Sequence, residues 1–333
     1  MRRLWAELPP RGGALVILIL AALIGAPAFV DRYVLTVLIL VFYLAYVGQA
    51  WNLLMGFAGQ LSLGHALYVG LGAYVAAGLW LNLGIGPWLG VFAAMLVAAA
   101  CGVAIGWLGW RFGIEGVYFA LLTIASAEFV RIAFDHLDIV GGSGGLFLPV
   151  SPDQASEWWN LRGGPLLFYY IALALAAAAA LLMAWLKSSP LGYRWLAVRE
   201  DPHAASALGI DVFRARIVAM AISSSMTAVG GVFYAFYNRS LFPFQVFDIG
   251  RSIELILAPI IGGLGTVFGP IVGAFILTPV GEALIAMTAR LGLNVPGAKA
   301  VFYGLTLIAI IYVRPNGVWP WLADRLGLRE HRR

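Results

Sequence analysis

Cysteine and charged residues are both scarce in this chain of 333 residues. Asp, Glu, Lys and Arg make up 11% of the sequence, whereas hydrophobic residues make up 62%. The chain cannot bury that much apolar surface in one water-soluble core, so the composition excludes an ordinary soluble domain. The single cysteine, Cys101, lies within an apolar run, and one cysteine excludes an intrachain disulfide.

The sequence also lacks the motifs of common enzyme classes. It has no G-x-x-x-x-G-K-[ST] phosphate-binding loop, so we expect the chain not to hydrolyse a nucleotide by itself. It has no G-x-S-x-G nucleophile motif, and its four histidines are too scattered to form a metal site. We therefore expect no enzymatic activity and no cofactor bound by this chain.

Long apolar runs recur along almost the whole chain. A helix needs about 17–25 apolar residues to cross a hydrocarbon layer about 30 Å thick. The runs therefore predict an all-α polytopic membrane protein with about ten transmembrane helices, forming one transmembrane domain over residues 1–333. The predicted spans are 14–30, 33–54, 65–83, 88–110, 116–133, 165–186, 217–237, 253–264, 267–287 and 298–313.

The positive charges indicate the orientation of these spans. Arg and Lys concentrate in the amino terminus, in the loop 187–216 and in the carboxyl-terminal tail, and all three are expected in the cytoplasm. The segment 134–163 is acidic and suits the outer face. Arg290 and Lys299 then fall near the outer face, against the bias. The net charge of +5 is thus read as a determinant of topology and not as a nucleic-acid surface.

The first apolar run allows two interpretations. Basic residues before it and Ala26-Pro27-Ala28 at its end are typical of a cleavable signal peptide. The next span begins after only Asp31 and Arg32, which favours a retained first helix.

Glycines interrupt two of the apolar runs and predict broken or re-entrant helices. Gly265, Gly269 and Gly273 are four residues apart, so we expect them on one helix face, where a neighbouring helix can approach closely. The alternative interpretation is that these glycines unwind the helix and expose its backbone to a cavity. A similar segment at 56–78 hints at an internal repeat. The candidate residues for a translocation path or for helix packing are Gln60, Ser62, His65, Gly262, Gly263, Gly265, Gly269, Gly273 and Glu282.

A few charged residues fall within predicted spans. Glu128 and Arg131 are three residues apart, share a helix face and are predicted to pair. Glu254 and Glu282 also lie in apolar surroundings, where a charge either reaches the membrane interface or faces a pathway. Of these, Glu282 is the better pathway candidate.

The loop 187–216 is longer than a simple connection requires. Within it, residues 202–209 predict a short helix that is capped by Glu200 or Asp201, with Pro202 in its first turn and Gly209 at its end. The small residues Ala204 and Ala205 would let this helix seat closely against a partner. The alternative is an ordinary solvated connector.

Three segments in this order resemble one protein family. The runs 59–78, 189–211 and 252–275 are similar to the M-type permease subunit of bacterial branched-chain amino-acid ABC importers, and the resemblance extends from about residue 33 to Gly317. Importer permeases insert a loop helix with an E-A-A-x-x-x-G pattern into an ATPase groove. His203 stands at the acidic position of that pattern here. The resemblance implies ATPase-coupling roles for Glu200, Asp201, Ala204, Ala205 and Gly209.

The same resemblance implies partners and a location. It implies a second homologous permease, two cytoplasmic ATPase subunits that bind ATP-Mg, and a periplasmic substrate-binding protein. The chain would cross the bacterial inner membrane many times, in contact with lipid and not with nucleic acid. The implied substrates are leucine, isoleucine and valine. Permeases for urea and short amides are closely similar, and an ion-coupled secondary transporter is a further alternative.

The charge-based topology predicts where fused reporters will lie. A reporter fused after residue 200 is expected to behave as cytoplasmic, and one placed within 145–160 as periplasmic, because the basic loops stay inside. Alkaline phosphatase and green fluorescent protein fusions measure this. The opposite pair of results would overturn the orientation.

Overall fold

The structure is a computed structural model that describes residues 10–149, 158–290 and 297–326. These residues are almost entirely helical. The first five helices are α1 (Pro10–Gly25), α2 (Arg32–Asn52), α3 (Ala66–Leu83), α4 (Pro87–Arg111) and α5 (Val117–Asp135). The next four are α6 (Pro165–Lys187), α7 (Pro190–Glu200), α8 (Pro202–Ala207) and α9 (Val212–Asn238). The last five are α10 (Pro243–Val246), α11 (Ile249–Gly262), α12 (Gly269–Arg290), α13 (Ala298–Val313) and α14 (Val318–Arg325).

The prediction of an all-α polytopic membrane protein is confirmed. Each of the ten predicted spans coincides with a helix. In the described part of the chain, seven helices are long and apolar enough to cross a membrane, including α2 with its extension to Phe57. The other three are shorter: α1 and α13 have 16 residues each and α11 has 14. At 1.5 Å per residue, α11 is about 21 Å long, too short to cross alone.

The chain divides into two compact units. The first contains the described residues up to Gln49, then Phe168–Gly192, then those from Leu257 onward. The second contains Ala50–Leu167, as far as it is described, and Tyr193–Ile256. The single-domain assignment over 1–333 stays a prediction.

Small residues let the central helices of the second unit pack closely. A Cβ atom at Gly72 in α3 would overlap the carbonyl oxygen of Ala228 in α9, and one at Gly231 would overlap that of Val69. Only glycine allows this approach, in which the backbones of α3 and α9 are nearly in contact. The closely packed and largely buried α3 and α9 thus form the centre of this unit.

Two features mark the opposite ends of the second unit. At one end, strands β1 (Leu146–Phe147) and β2 (Ser240–Leu241) pair antiparallel, and they place the segments after α5 and after α9 together. At the other end, Nη1 of Arg216 donates to Oε1 of Glu115 at 2.5 Å. The loop before α5 and the loop before α9 therefore share a side, as the predicted topology requires.

In the first unit, α11 and α12 form a hairpin around a glycine-rich turn. Gly263 has φ +127° and Gly265 has φ +71°, so these residues end α11 in a backbone conformation that favours glycine. Pro270 then sits in the first turn of α12, where its missing N–H costs nothing. The prediction that Gly265 shares a helix face with Gly269 and Gly273 is therefore wrong, because Gly265 lies in the turn.

The two arms of this hairpin touch through their backbones. A Cβ at Gly262 would overlap the carbonyl oxygen of Gly269, and one at Gly273 would overlap that of Ala258. Behind the hairpin, Leu257, Ile261, Leu277 and Tyr303 form a buried apolar cluster. The helix is thus both broken and closely packed here, and a path role for these glycines stays a prediction.

The hairpin predicts a steric penalty at Gly269. Gly269→Leu adds a side chain where the Gly263 carbonyl and the Thr266 hydroxyl already lie, so it should cost at least about 1–3 kcal/mol of stability. The matched control is Gly304→Leu, because a Cβ at Gly304 in α13 meets no atom within 4 Å. The measurement is the melting temperature of each purified variant in detergent. Equal melting temperatures would contradict the packing.

Candidate functional site

The first candidate site is the irregular stretch between α2 and α3. After Asn52, α2 widens into a π-helical turn at Leu53–Phe57 and then unwinds. Residues 58–65, here called the unwound segment, lead to α3, and Gly59 has φ +69°. Most of this segment is buried. Its backbone polar groups therefore need partners within the protein.

Hydroxyl side chains from two other helices supply such partners. The backbone N–H of Leu63 donates to Oγ1 of Thr123 in α5 at 3.1 Å. The N–H of Ala66, the first residue of α3, donates to Oγ of Ser252 in α11 at 2.9 Å. Both bonds satisfy groups that a continuous helix would satisfy internally. The break is thus held by the surrounding helices.

A chain of side-chain hydrogen bonds continues from the segment into α9. Oγ of Ser62 lies 3.1 Å from Nδ1 of His65, and Nε2 of His65 lies 3.0 Å from Oγ of Ser223. The Ser223 hydroxyl donates to the carbonyl of Ala50 at 2.6 Å. The Trp51 indole N–H donates to the Ser62 carbonyl at 2.7 Å. Together these bonds link the segment to α2 and α9.

The geometry assigns the tautomer of His65. Ser223 uses its only proton on the Ala50 carbonyl, so its oxygen must accept from Nε2–H of His65. Nδ1 then carries no proton and accepts from the Ser62 hydroxyl. Every donor and acceptor in this series of hydrogen bonds has its partner when the His65 imidazole is neutral.

Three residues predicted from sequence for a path thus lie together in this segment. Ser62 and His65 are fully buried, and Gln60 is 7% exposed, with Nε2 donating to the Ala58 carbonyl at 3.1 Å. They hold the segment in place in this conformation. Thr123, Ser223 and Ser252, all buried, are the partners that sequence reasoning missed. The only feature in the sequence that could have indicated these three partners is a hydroxyl side chain within an apolar span.

Glu128 and Glu282, two carboxylates within apolar helices, each lie beside a basic side chain. Oε1 of Glu282 lies 3.2 Å from Nζ of Lys299. The predicted pair of Glu128 and Arg131 is confirmed at 2.6 Å. A path role for Glu282 stays a prediction.

The second candidate site is the loop that contains α7 and α8. The Asp201 carboxylate caps α8 by accepting from the N–H of His203 at 2.8 Å and of Ala204 at 3.0 Å. These two bonds lower the pKa of Asp201, so the cap persists at neutral pH and is lost only as the pH falls through that lowered pKa. Gly209, with φ +85°, follows the helix end. The predicted helix and its capping by Asp201 are confirmed, whereas Glu200 points to solvent with its side chain 75% exposed.

The accessible face of α8 differs from the predicted one. Ala205 is only 2% exposed, because the helix packs this side against its own chain beside α9. Ala204 and Ala207 are exposed, and Leu208 is 82% exposed. The apolar surface available to a partner therefore comprises Ala204, Ala207 and Leu208. Leu208 was missed, although a leucine before a glycine in a polar loop is a visible signal.

Residues 33–311 match the family described as branched-chain amino acid transport system / permease component. The chain belongs to this family. As a permease component it is a multi-pass membrane protein of a transport system.

Curated relatives agree with this assignment. The high-affinity branched-chain amino acid transport system permease protein LivM of Escherichia coli (strain K12) is 27% identical, over 95% of this permease and 76% of LivM. LivM of Salmonella typhimurium is 26% identical, over 85% and 69% respectively. The autoinducer 2 import system permease protein LsrC of Salmonella typhi is 31% identical over 32% of this chain and 33% of its own. No solved structure matches.

The hydrogen-bond chain predicts a stability cost in α9 of this permease. Ser223→Ala leaves Nε2–H of His65 and the Ala50 carbonyl without their partner, which should cost about 1–3 kcal/mol. Ser225→Ala is the matched control, since its hydroxyl is part-buried and makes one long bond of 3.3 Å to Met95. Thermal unfolding in detergent measures both. Equal losses in the two variants would contradict the assigned role.

Proposed function

We propose that this permease carries leucine, isoleucine and valine into the cytoplasm as one half of an ABC importer. Membership of the family and the LivM names of the relatives support the substrate class. The match to these relatives spans most of both chains, so the similarity is not limited to one motif. Permeases for urea or short amides remain the alternative that the experiment below separates.

The observation that best supports ATP-driven transport is the exposed apolar surface at α8. This helix is short and capped at both ends, and it exposes two alanines, with the exposed Leu208 directly after its last residue. A solvated connector gains nothing from an 82% exposed leucine, whereas a helix that enters a groove needs small and apolar contacts. Two partner ATPases would bind ATP-Mg and move α8.

The remaining partners and the location follow from this proposal. A second, homologous permease would complete the path, and a periplasmic binding protein would deliver substrate to the end of the second unit that holds β1 and β2. The chain would lie in the inner membrane with both termini in the cytoplasm. An ion-coupled transporter has less support, because Glu128, Glu254 and Glu282 are each paired with a basic side chain.

The substrate test uses the complete complex in liposomes. ATP is supplied inside the liposomes in one experiment and outside them in another. We expect ATP-dependent uptake of labelled leucine that unlabelled isoleucine and valine reduce and that urea and acetamide leave unchanged. The measurement is initial uptake rate with the purified binding protein present. Urea uptake that is insensitive to leucine would replace the proposed substrate class.

The coupling surface is tested by a pair of arginine substitutions. Leu208→Arg places a charge on the exposed end of α8, so it should reduce co-purification of the ATPases while the melting temperature stays unchanged. Ala205→Arg should lower the melting temperature as well, because it inserts a long side chain into a buried position. Tyr193→Arg, at a 66% exposed position of α7, is the control for added charge. If the ATPases co-purify with Leu208→Arg as they do with the wild type, α8 is not their contact.

A further inference from the structure

Arg199 connects the loop helices to the π-helical turn at the end of α2. It lies in the last turn of α7, and its Nη1 donates a hydrogen bond to the carbonyl oxygen of Gly56. The carbonyls of Leu53, Leu54 and Met55 already accept from backbone N–H groups of residues 58–60. The Gly56 carbonyl, at the end of a helix, has no backbone partner among the described residues, and the guanidinium charge suits the negative end of the helix dipole.

The stem of Arg199 also covers the start of the unwound segment. A Cβ at Gly59 would lie 3.0 Å from Cγ of Arg199 and 3.1 Å from its Cα. Gly59 has φ +69°, so glycine satisfies both the backbone conformation and the close contact. Arg199 therefore contacts the unwound segment through its backbone and stem, and the preceding π-helical turn through its charged head.

The helix that carries Arg199 is firmly joined to α8. Only Asp201 separates α7 from α8, and its N–H donates to the carbonyl of Ala197 while its carboxylate caps α8. Trp195, one turn before Arg199 in α7, is fully buried, and its indole N–H donates to the Ala215 carbonyl of α9 at 2.8 Å. A displacement of α8 would therefore move α7, and Arg199 with it.

We propose that Arg199 is a positioning residue that transmits movement of α8 to the unwound segment. Arg199 contacts the Gly56 carbonyl and Gly59. A shift of these two residues would in turn move the hydrogen-bond chain that contains Ser62 and His65. This inference rests on the proposed function, since that function assigns the movement of α8 to ATPase subunits. Arginine suits the role because its planar fork reaches Gly56 through Nη1 while Nη2 lies 3.6 Å from Glu200.

The coupling test compares Arg199→Gln and Arg199→Lys with Arg194→Gln. Arg194 is exposed on the same helix, and its side chain makes no hydrogen bond or ion pair with another described residue. In the complete complex, Arg199→Gln is expected to retain ATPase binding and ATP hydrolysis but to transport at least about fivefold less substrate per ATP. Arg199→Lys should be intermediate, because it keeps the charge, and Arg194→Gln should match the wild type. A wild-type transport-to-hydrolysis ratio in Arg199→Gln would overturn the proposal.

A second measurement does not depend on which substrate is carried. In a Cys101→Ser background, Leu61→Cys places one thiol in the unwound segment, and its rate of reaction with a water-soluble maleimide is measured with and without a non-hydrolysable ATP analogue. The analogue should change the rate when Arg199 is present and leave it unchanged in Arg199→Gln. The same change in both proteins would overturn the role of Arg199. Failure of ATPases to co-purify with the wild type would instead contradict the proposed function.

Discussion

Peptide groups inside a membrane protein must find hydrogen-bond partners within the protein, and this constraint governs the unwound segment. Hydrocarbon offers no donors or acceptors, so an interrupted helix survives only where side chains replace the missing backbone bonds. Here Thr123 accepts from Leu63 in the segment, Ser252 accepts from Ala66 directly after it, and Trp51 donates to it. The positions of α5 and α11 beside the break follow from that requirement.

The same constraint explains the placement of glycine and of charge. Close backbone approach at Gly72 and Gly231 brings α3 and α9 near enough for Ser223 to reach His65. Glu128, Glu254 and Glu282, which lie within helices, are each beside a basic side chain. Around the unwound segment, polar groups thus tie the helices together. The loop helix α7 then adds a cationic contact, from Arg199 to the π-helical turn that follows α2.

Local features of this protein were predictable, and long-range contacts were not. Apolar run length predicted a helix at each of the ten spans, and Asp201, Pro202 and Gly209 predicted α8, because these signals act within a few residues. Gly265 was misassigned because spacing alone cannot tell a helix face from a turn with positive φ. The buried side of Ala205 was missed because it depends on α9. The bond between His65 and Ser223 joins residues 158 positions apart, a distance at which a single sequence carries no pairing signal. The internal repeat stays a prediction.

The central claim is that side chains of neighbouring helices satisfy the backbone of the unwound segment, and amide hydrogen exchange tests it most directly. The amides of Leu63 and Ala66, which donate to Thr123 and Ser252, are expected to exchange as slowly as amides in the middle of α3. Substituting Thr123 by valine should release protection at Leu63 while Ala66 stays protected. Fast exchange at both amides in the wild-type protein, at the rate of an open loop, would contradict the account.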